Sequence, residues 1–157
     1  GDINFTDLAY GQKSWRCANE VGDFIIKRKD GIFAYQFAVV LDDNFQGVNR
    51  VVRGIDLLES TPRQLSLHHV LNLRPPEYLH IPIIVDKSGK KLSKQGHAKP
   101  LDISNASHLL REALIALGQD PQRDAEGQND LLGRAIKAWR VDRIPTRISI
   151  SAPIEYL

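Results

Sequence analysis

Three groups of residues have the types and spacing that chemistry needs. Lys91-Leu92-Ser93-Lys94-Gln95, preceded by Lys90, places ammonium groups three residues apart around a hydroxyl, just after an apolar segment and a turn. Mobile cations beside a hydroxyl suit a polyphosphate, because phosphoryl and adenylyl transfer build negative charge on phosphate oxygens as the bond breaks. The same pattern also occurs in ordinary solvated loops. Arg53, next to Gly54, can present its planar fork to a carboxylate, and Tyr35 can add a phenolic hydrogen bond. The alternative for Arg53 is a structural ion pair with Asp56 or Asp42. Asp42-Asp43, with Gln46 nearby, can hold magnesium, bind a ribose hydroxyl or cap loop backbone.

The elements that must position these residues read as mixed α/β. Residues 23–28 suit a short strand turning at Lys29-Asp30-Gly31, where Asp-Gly favours positive φ. Residues 33–41 contain the apolar run Phe37-Ala38-Val39-Val40-Leu41, expected as a central strand covered on both faces and ending at Asp42-Asp43. Residues 47–54 suit a neighbouring strand, so that Tyr35 and Arg53 would sit on adjacent strands. A helix is expected to start at Ser60-Thr61-Pro62 and run to about Leu71, with hydroxyls as caps and proline pre-set for the first turn. His68 and His69 fall on different faces of that helix and suit structural roles. Residues 78–85 are expected to form one buried strand with an irregularity at Pro82, followed by a turn at Asp86-Lys87-Ser88-Gly89. Two helices, near 106–117 and 129–141, complete the pattern, with Gly118 as a C-cap and an irregular tail after Pro145.

Composition removes several classes. With 42% hydrophobic and 25% charged residues, the 157-residue chain is globular, and it is long enough to bury about two-thirds of its unfolded surface. The single cysteine, Cys17, cannot form an internal disulfide or a multi-thiolate zinc site, so it reads as a packed thiol in a cytoplasmic chain. No apolar run reaches the length of a membrane span. A net charge of +2 does not by itself announce a nucleic-acid partner, although basic residues gather at 27–29, 87–99 and 134–147. No phosphate-binding glycine loop, dinucleotide fingerprint, nucleophile elbow or metal-binding Cys/His spacing occurs.

Taken in order, Gly22-Asp23-Phe24-Ile25-Ile26-Lys27-Arg28, the stretch from Phe33 to Asp43, Gln46-Gly47-Val48 and the stretch from Val51 to Leu58 resemble the core of the glutamyl- and glutaminyl-tRNA synthetases. Lys91-Leu92-Ser93-Lys94-Gln95 then resembles the KMSKS loop of that class I family. The resemblance implies an α/β fold: the C-terminal half of a Rossmann-like catalytic core over residues 1–100, with a short helical region at 101–157 and no anticodon-binding domain. Within the family, Tyr35-Gln36, Ser60-Thr61-Pro62-Arg63-Gln64 and the Lys-Gln ending of the loop are most similar to the truncated members that act on a modified base.

The resemblance further implies a ligase that adenylates L-glutamate with ATP and Mg2+ without tRNA. Such a ligase passes the glutamyl group to the queuosine base in the anticodon of tRNA(Asp). Tyr35 and Arg53 would then contact glutamate and Lys94 would contact ATP, with Asp42, Asp43, Asp56 and His80 in support. The family's HIGH motif, and the zinc site of many members, lie upstream of the matching stretch. The chain is therefore expected to hold half of a split site, to be inactive alone, and to associate with the missing half or with itself through open sheet edges. An ordinary glutamyl-tRNA synthetase fragment and a non-catalytic RNA-binding module remain alternatives.

Overall fold

The computed structural model describes residues 2–93 and 100–152, apart from the side chains of Cys17 and Ala18. The chain forms two compact units, Gly1–His80 and Ile81–Leu157. Among the described residues no helix is long and apolar enough to cross a membrane.

The first unit is built on a four-stranded sheet in the order β2-β1-β4-β3, with strands β1 (Asp2–Asp7), β2 (Gly11–Arg16), β3 (Arg50–Gly54) and β4 (Glu77–Ile81). The β1–β2 hairpin occupies a stretch to which the sequence reading assigned no element. Its alternation was present: Ile3, Phe5 and Asp7 turn inward while Asp2, Asn4 and Thr6 face out. Polar residues on the inward face, Asp7 and Lys13, blurred the signal. Phe5 stacks on Trp15 across the hairpin at 5.5 Å and meets Tyr78 edge-on at 5.7 Å, which ties β1 to β4.

Asp7 ends β1 and is almost fully buried. Its Oδ1 accepts from the N–H groups of Ala9 (3.0 Å) and Tyr10 (2.9 Å), shaping the turn into β2. Its Oδ2 accepts from the His80 backbone N–H at 3.1 Å and meets the His80 ring Nδ1 at 2.6 Å. Burial pushes the carboxyl upward, but the His80 side chain and the two turn N–H groups outweigh it, and Asp7 titrates below its ordinary value.

Residues 33–41 are not a strand. Helix α1 (Tyr35–Gln46) takes up the apolar run. A short continuous apolar stretch does not by itself distinguish a strand from a packed helix. Here only Val40 is buried, whereas Leu41 and Phe45 face outward. Asp42 and Asp43 therefore lie in the last turns of a helix, which Gly47 closes at φ 71°. Residues 23–28 likewise form no strand: a single bridge, Lys27 to Phe33, flanks the expected turn at Gly31 (φ 86°), and Ile25 and Ile26 are exposed. Strand β3 and helix α2 (Thr61–Val70) stand where the sequence places them, with Pro62 in the first turn. No side-chain cap bond comes from Ser60, and the Thr61 hydroxyl is engaged elsewhere.

The second unit contains β5 (Ile83–Val85), which Pro82 separates from β4, together with α3 (Ala106–Ala116), α4 (Gly127–Ala138) and β6 (Ser149–Ser151). The tail is not irregular: β6 pairs in parallel with β5, Ile84 opposite Ile150. Leu114, Leu131, Ala135 and Ile144 form its core. Gln119 is buried and exchanges two hydrogen bonds with the Arg140 backbone, fixing the end of α3. Gly118, at φ 68°, lies against the Arg143 carbonyl, which a Cβ would strike.

Two outcomes follow from this packing. Gly118→Ala is expected to lower unfolding stability by about 2 kcal/mol or more, combining the left-handed backbone with the clash. Gly89→Ala, also at positive φ (81°) but facing open space, should cost only about 1 kcal/mol; equal losses in denaturant titrations would refute the clash. For Asp7 the shift is downward, so its stabilisation is present above the unfolded value of about 3.9 and is lost as pH falls through the lower folded value. The stability gap between the unaltered chain and Asp7→Asn should then shrink below about pH 4; a gap independent of pH would contradict the assignment.

Candidate functional site

The site grows from β3. Its alternation turns Val51 and Arg53 toward the protein and leaves Arg50 and Val52 outward. Arg50 pairs on the surface with Glu77 at 2.7 Å. Arg53 is half-buried, and each of its three nitrogens donates one hydrogen bond: Nε to His80 Nε2 (3.0 Å), Nη1 to Gln64 Oε1 (2.8 Å) and Nη2 to Thr61 Oγ1 (2.8 Å). The face of the guanidinium lies 5.2 Å from the centre of the Tyr78 ring. Helix α2 supplies Thr61 and Gln64 from its first turn, and β4 supplies Tyr78 and His80.

All three acceptors are neutral groups. The structural alternative, an arginine spent on a carboxylate of Asp42 or Asp56, is therefore not how the fold holds this fork. A guanidinium has five N–H donors. Three are used here, which leaves two donors, and no carboxylate is hydrogen-bonded to the fork. An anion is the natural partner for donors on a cation.

Tyr35 begins α1 and is half exposed. It does not sit on a strand beside Arg53 as the sequence suggested. Both nonetheless enter the electrostatics of Tyr78. Burial drives the Tyr78 phenol up to about 12; Arg53 opposes this, and Asp43 and Tyr35 add to it. Tyr78 therefore stays protonated beneath the cation.

Asp42 is exposed and Asp43 half-buried. As consecutive helical residues they point about 100° apart and do not converge on one ion. Burial raises the Asp43 carboxyl, while His68 and Arg53 pull it down and Asp42 pushes it up. His68 is buried and His69 exposed, on different faces of α2; burial lowers the His68 pKa and Asp43 opposes this. Asp43 and His68 border a cleft of about 780 Å³ that continues past Asn49, Arg50 and Arg74. Among the described residues no group of three or more His, Cys, Asp or Glu side chains converges into a ligand set for magnesium or zinc. Asp56 lies exposed in the 3-10 turn Ile55–Ser60 that follows β3.

In the second unit the lysine motif starts as an extension of β5. Lys91 bridges antiparallel to Val85, and the Leu92 N–H donates to the Ile84 carbonyl at 2.9 Å. Asp86 organises the preceding turn by accepting from Ser88 and Lys90. Ser93 is half-buried. Lys94 and Gln95 lie outside the described residues.

Sequence reasoning missed Asp7, Thr61, Gln64 and Tyr78 as parts of this site. Thr61 and Gln64 were visible only as a helix start. Asp7 reaches His80 across 73 positions, which no local pattern encodes.

Comparison with known proteins agrees with this architecture. Residues 1–121 match the family model of tRNA synthetases class I (E and Q), catalytic domain. The chain is 49% identical over 146 residues to the glutamyl-Q tRNA(Asp) synthetase of Ectopseudomonas mendocina, covering 92% of this chain and 50% of that protein. It is 44% identical over 151 residues to the protein of the same name from Vibrio vulnificus, covering 95% and 50%. The chain thus spans about half the length of the curated relatives it matches. Among solved structures, a glutamate tRNA ligase from Elizabethkingia meningosepticum in complex with its amino acid superposes with a TM-score of 0.75 at 20% identity, over 99% of this chain and 35% of that one. The glutamate-tRNA synthetase of Elizabethkingia anophelis gives 0.76 at 19%, over the same shares. These likenesses in fold, with a family match over most of the sequence, show that the chain belongs to the class I glutamyl- and glutaminyl-tRNA synthetase catalytic-domain family.

Proposed function

We propose that this chain is part of a glutamyl-Q tRNA(Asp) synthetase, a cytoplasmic ligase that activates glutamate with ATP in the absence of tRNA and transfers it to the queuosine base of tRNA(Asp). Residues 1–100 are read as catalytic core and 101–157 as a short helical region. The observation that carries the reading is the state of Arg53: a fixed, half-buried cation with neutral partners and two donors to spare. Such a group suits the side-chain carboxylate of glutamate and would leave the amide of glutamine with a donor facing a donor. Tyr35 supplies a phenol at the same site.

Activation joins a carboxylate oxygen of glutamate to the α-phosphorus of ATP and releases pyrophosphate. Lys91 and Lys94 of the lysine motif would stabilise the charge that gathers on the departing phosphates. Asp42, Asp43 and Asp56 take supporting roles, and the other ATP contacts come from outside these residues. The partners are thus L-glutamate, ATP with Mg2+, tRNA(Asp) bearing queuosine, and the remainder of the catalytic core.

The test is glutamate-dependent ATP–pyrophosphate exchange without tRNA, using the full-length protein that carries this chain. Exchange is expected, and Arg53→Ala should raise KM for glutamate by about 10- to 100-fold, the worth of a charge-assisted hydrogen bond. Exchange that appears only when tRNA is added would favour an ordinary glutamyl-tRNA synthetase. Unchanged kinetics in Arg53→Ala would overturn the assigned role.

A further inference from the structure

The strongest unexplained feature lies behind Arg53 rather than in front of it. Arginine has no acceptor, so the 3.0 Å contact between Arg53 Nε and His80 Nε2 requires a lone pair on Nε2. The His80 proton must then sit on Nδ1, where Asp7 Oδ2 receives it at 2.6 Å. Asp7 is fixed in turn. Besides the ring it accepts backbone N–H groups from Ala9, Tyr10 and His80, so its oxygens are saturated and the carboxylate has no freedom to rotate. His80 is fully buried and Asp7 nearly so.

We infer that Asp7 and His80 are positioning residues for substrate binding, setting the imidazole tautomer that holds Arg53 ready to receive a carboxylate. The inference rests on the reading of Arg53 as the glutamate-binding cation. The reverse tautomer, or a doubly protonated ring, would set an N–H of His80 against the Nε–H of Arg53 and drive the fork off Gln64 and Thr61. The arrangement also keeps the acid one ring removed from the guanidinium. Asp7 orients Arg53 through the ring without occupying its donors. A carboxylate in direct contact with Arg53 would orient it equally well but would compete with glutamate.

The experiment uses the full-length protein. In Asp7→Asn the amide can donate to Nδ1, which moves the ring proton to Nε2 and against Arg53. Glutamate KM should rise about tenfold or more, as expected when a charged hydrogen-bonded group is displaced, while kcat and KM for ATP change by less than about threefold. Asp7→Asn combined with His80→Gln restores an acceptor toward Arg53 without the acid, and should recover glutamate KM relative to Asp7→Asn alone. Nitrogen-15 NMR of the unaltered protein gives a reading that needs no variant: His80 should show a protonated Nδ1 and an unprotonated Nε2. A protonated Nε2, or Asp7→Asn with unchanged glutamate KM beside an impaired Arg53→Ala, overturns the positioning role alone. Arg53→Ala without effect overturns both it and the reading of the site.

Discussion

A guanidinium can donate hydrogen bonds and cannot accept them, and the first unit is organised around that restriction. Three of the five N–H groups of Arg53 find acceptors in the fold: one is the β4 imidazole of His80, and the others are the hydroxyl and amide of Thr61 and Gln64 on the first turn of α2. Meeting those demands fixes the angle at which α2 leaves the turn after β3 and the depth at which β4 sits. It also passes a demand to β1, because the ring that accepts on one nitrogen must donate on the other. Asp7 answers it with the same carboxylate that folds the β1–β2 turn. A strand order, a helix start and a hairpin thus share one chain of donors and acceptors.

Such a chain stabilises the fold only if it is complete. Buried ionic groups gain little over apolar packing when satisfied and cost several kcal/mol when one partner is removed. Orientation is what the arrangement offers, since Arg53, His80 and Asp7 each hold the next by a hydrogen bond. Asp43 shows the contrasting case: near Arg53 but not bonded to it, at the C-terminal end of α1 and beside another acid, it is pushed toward protonation by burial.

The sequence made parts of this legible and hid others for physical reasons. Pro62 announced the start of α2 because proline fits the first turn and little else in a helix, and Gly31 and Gly118 announced turns because their φ values are positive. The lysine motif and Arg53 stood out by residue type. The run from Phe37 to Leu41 misled because a packed helix with β-branched residues and a covered strand have the same composition over five residues. Thr61 was read as a cap, a role open to any hydroxyl at that position, and its actual bond to Arg53 depends on how β3 and α2 pack. The link from Asp7 to His80 belongs to the tertiary fold entirely. Arg53 was therefore visible by itself, and the network of Asp7, Thr61, Gln64, Tyr78 and His80 around it was not.

The pairing of β5 with β6 carries a consequence for how the second unit comes into being. Ile83 finds its neighbour in Ser149, so the strand from which the lysine motif extends, already bridged to Lys91 close by in sequence, gains its β6 partner only after both intervening helices have been made. At about 5–20 residues per second, several seconds separate the two strands during synthesis. Helices α3 and α4, whose contacts are local, can settle in that interval, while the edge of β5 that meets β6 waits unpaired. The parallel pairing beside Lys91 is thus among the last features of this unit to be completed on the ribosome.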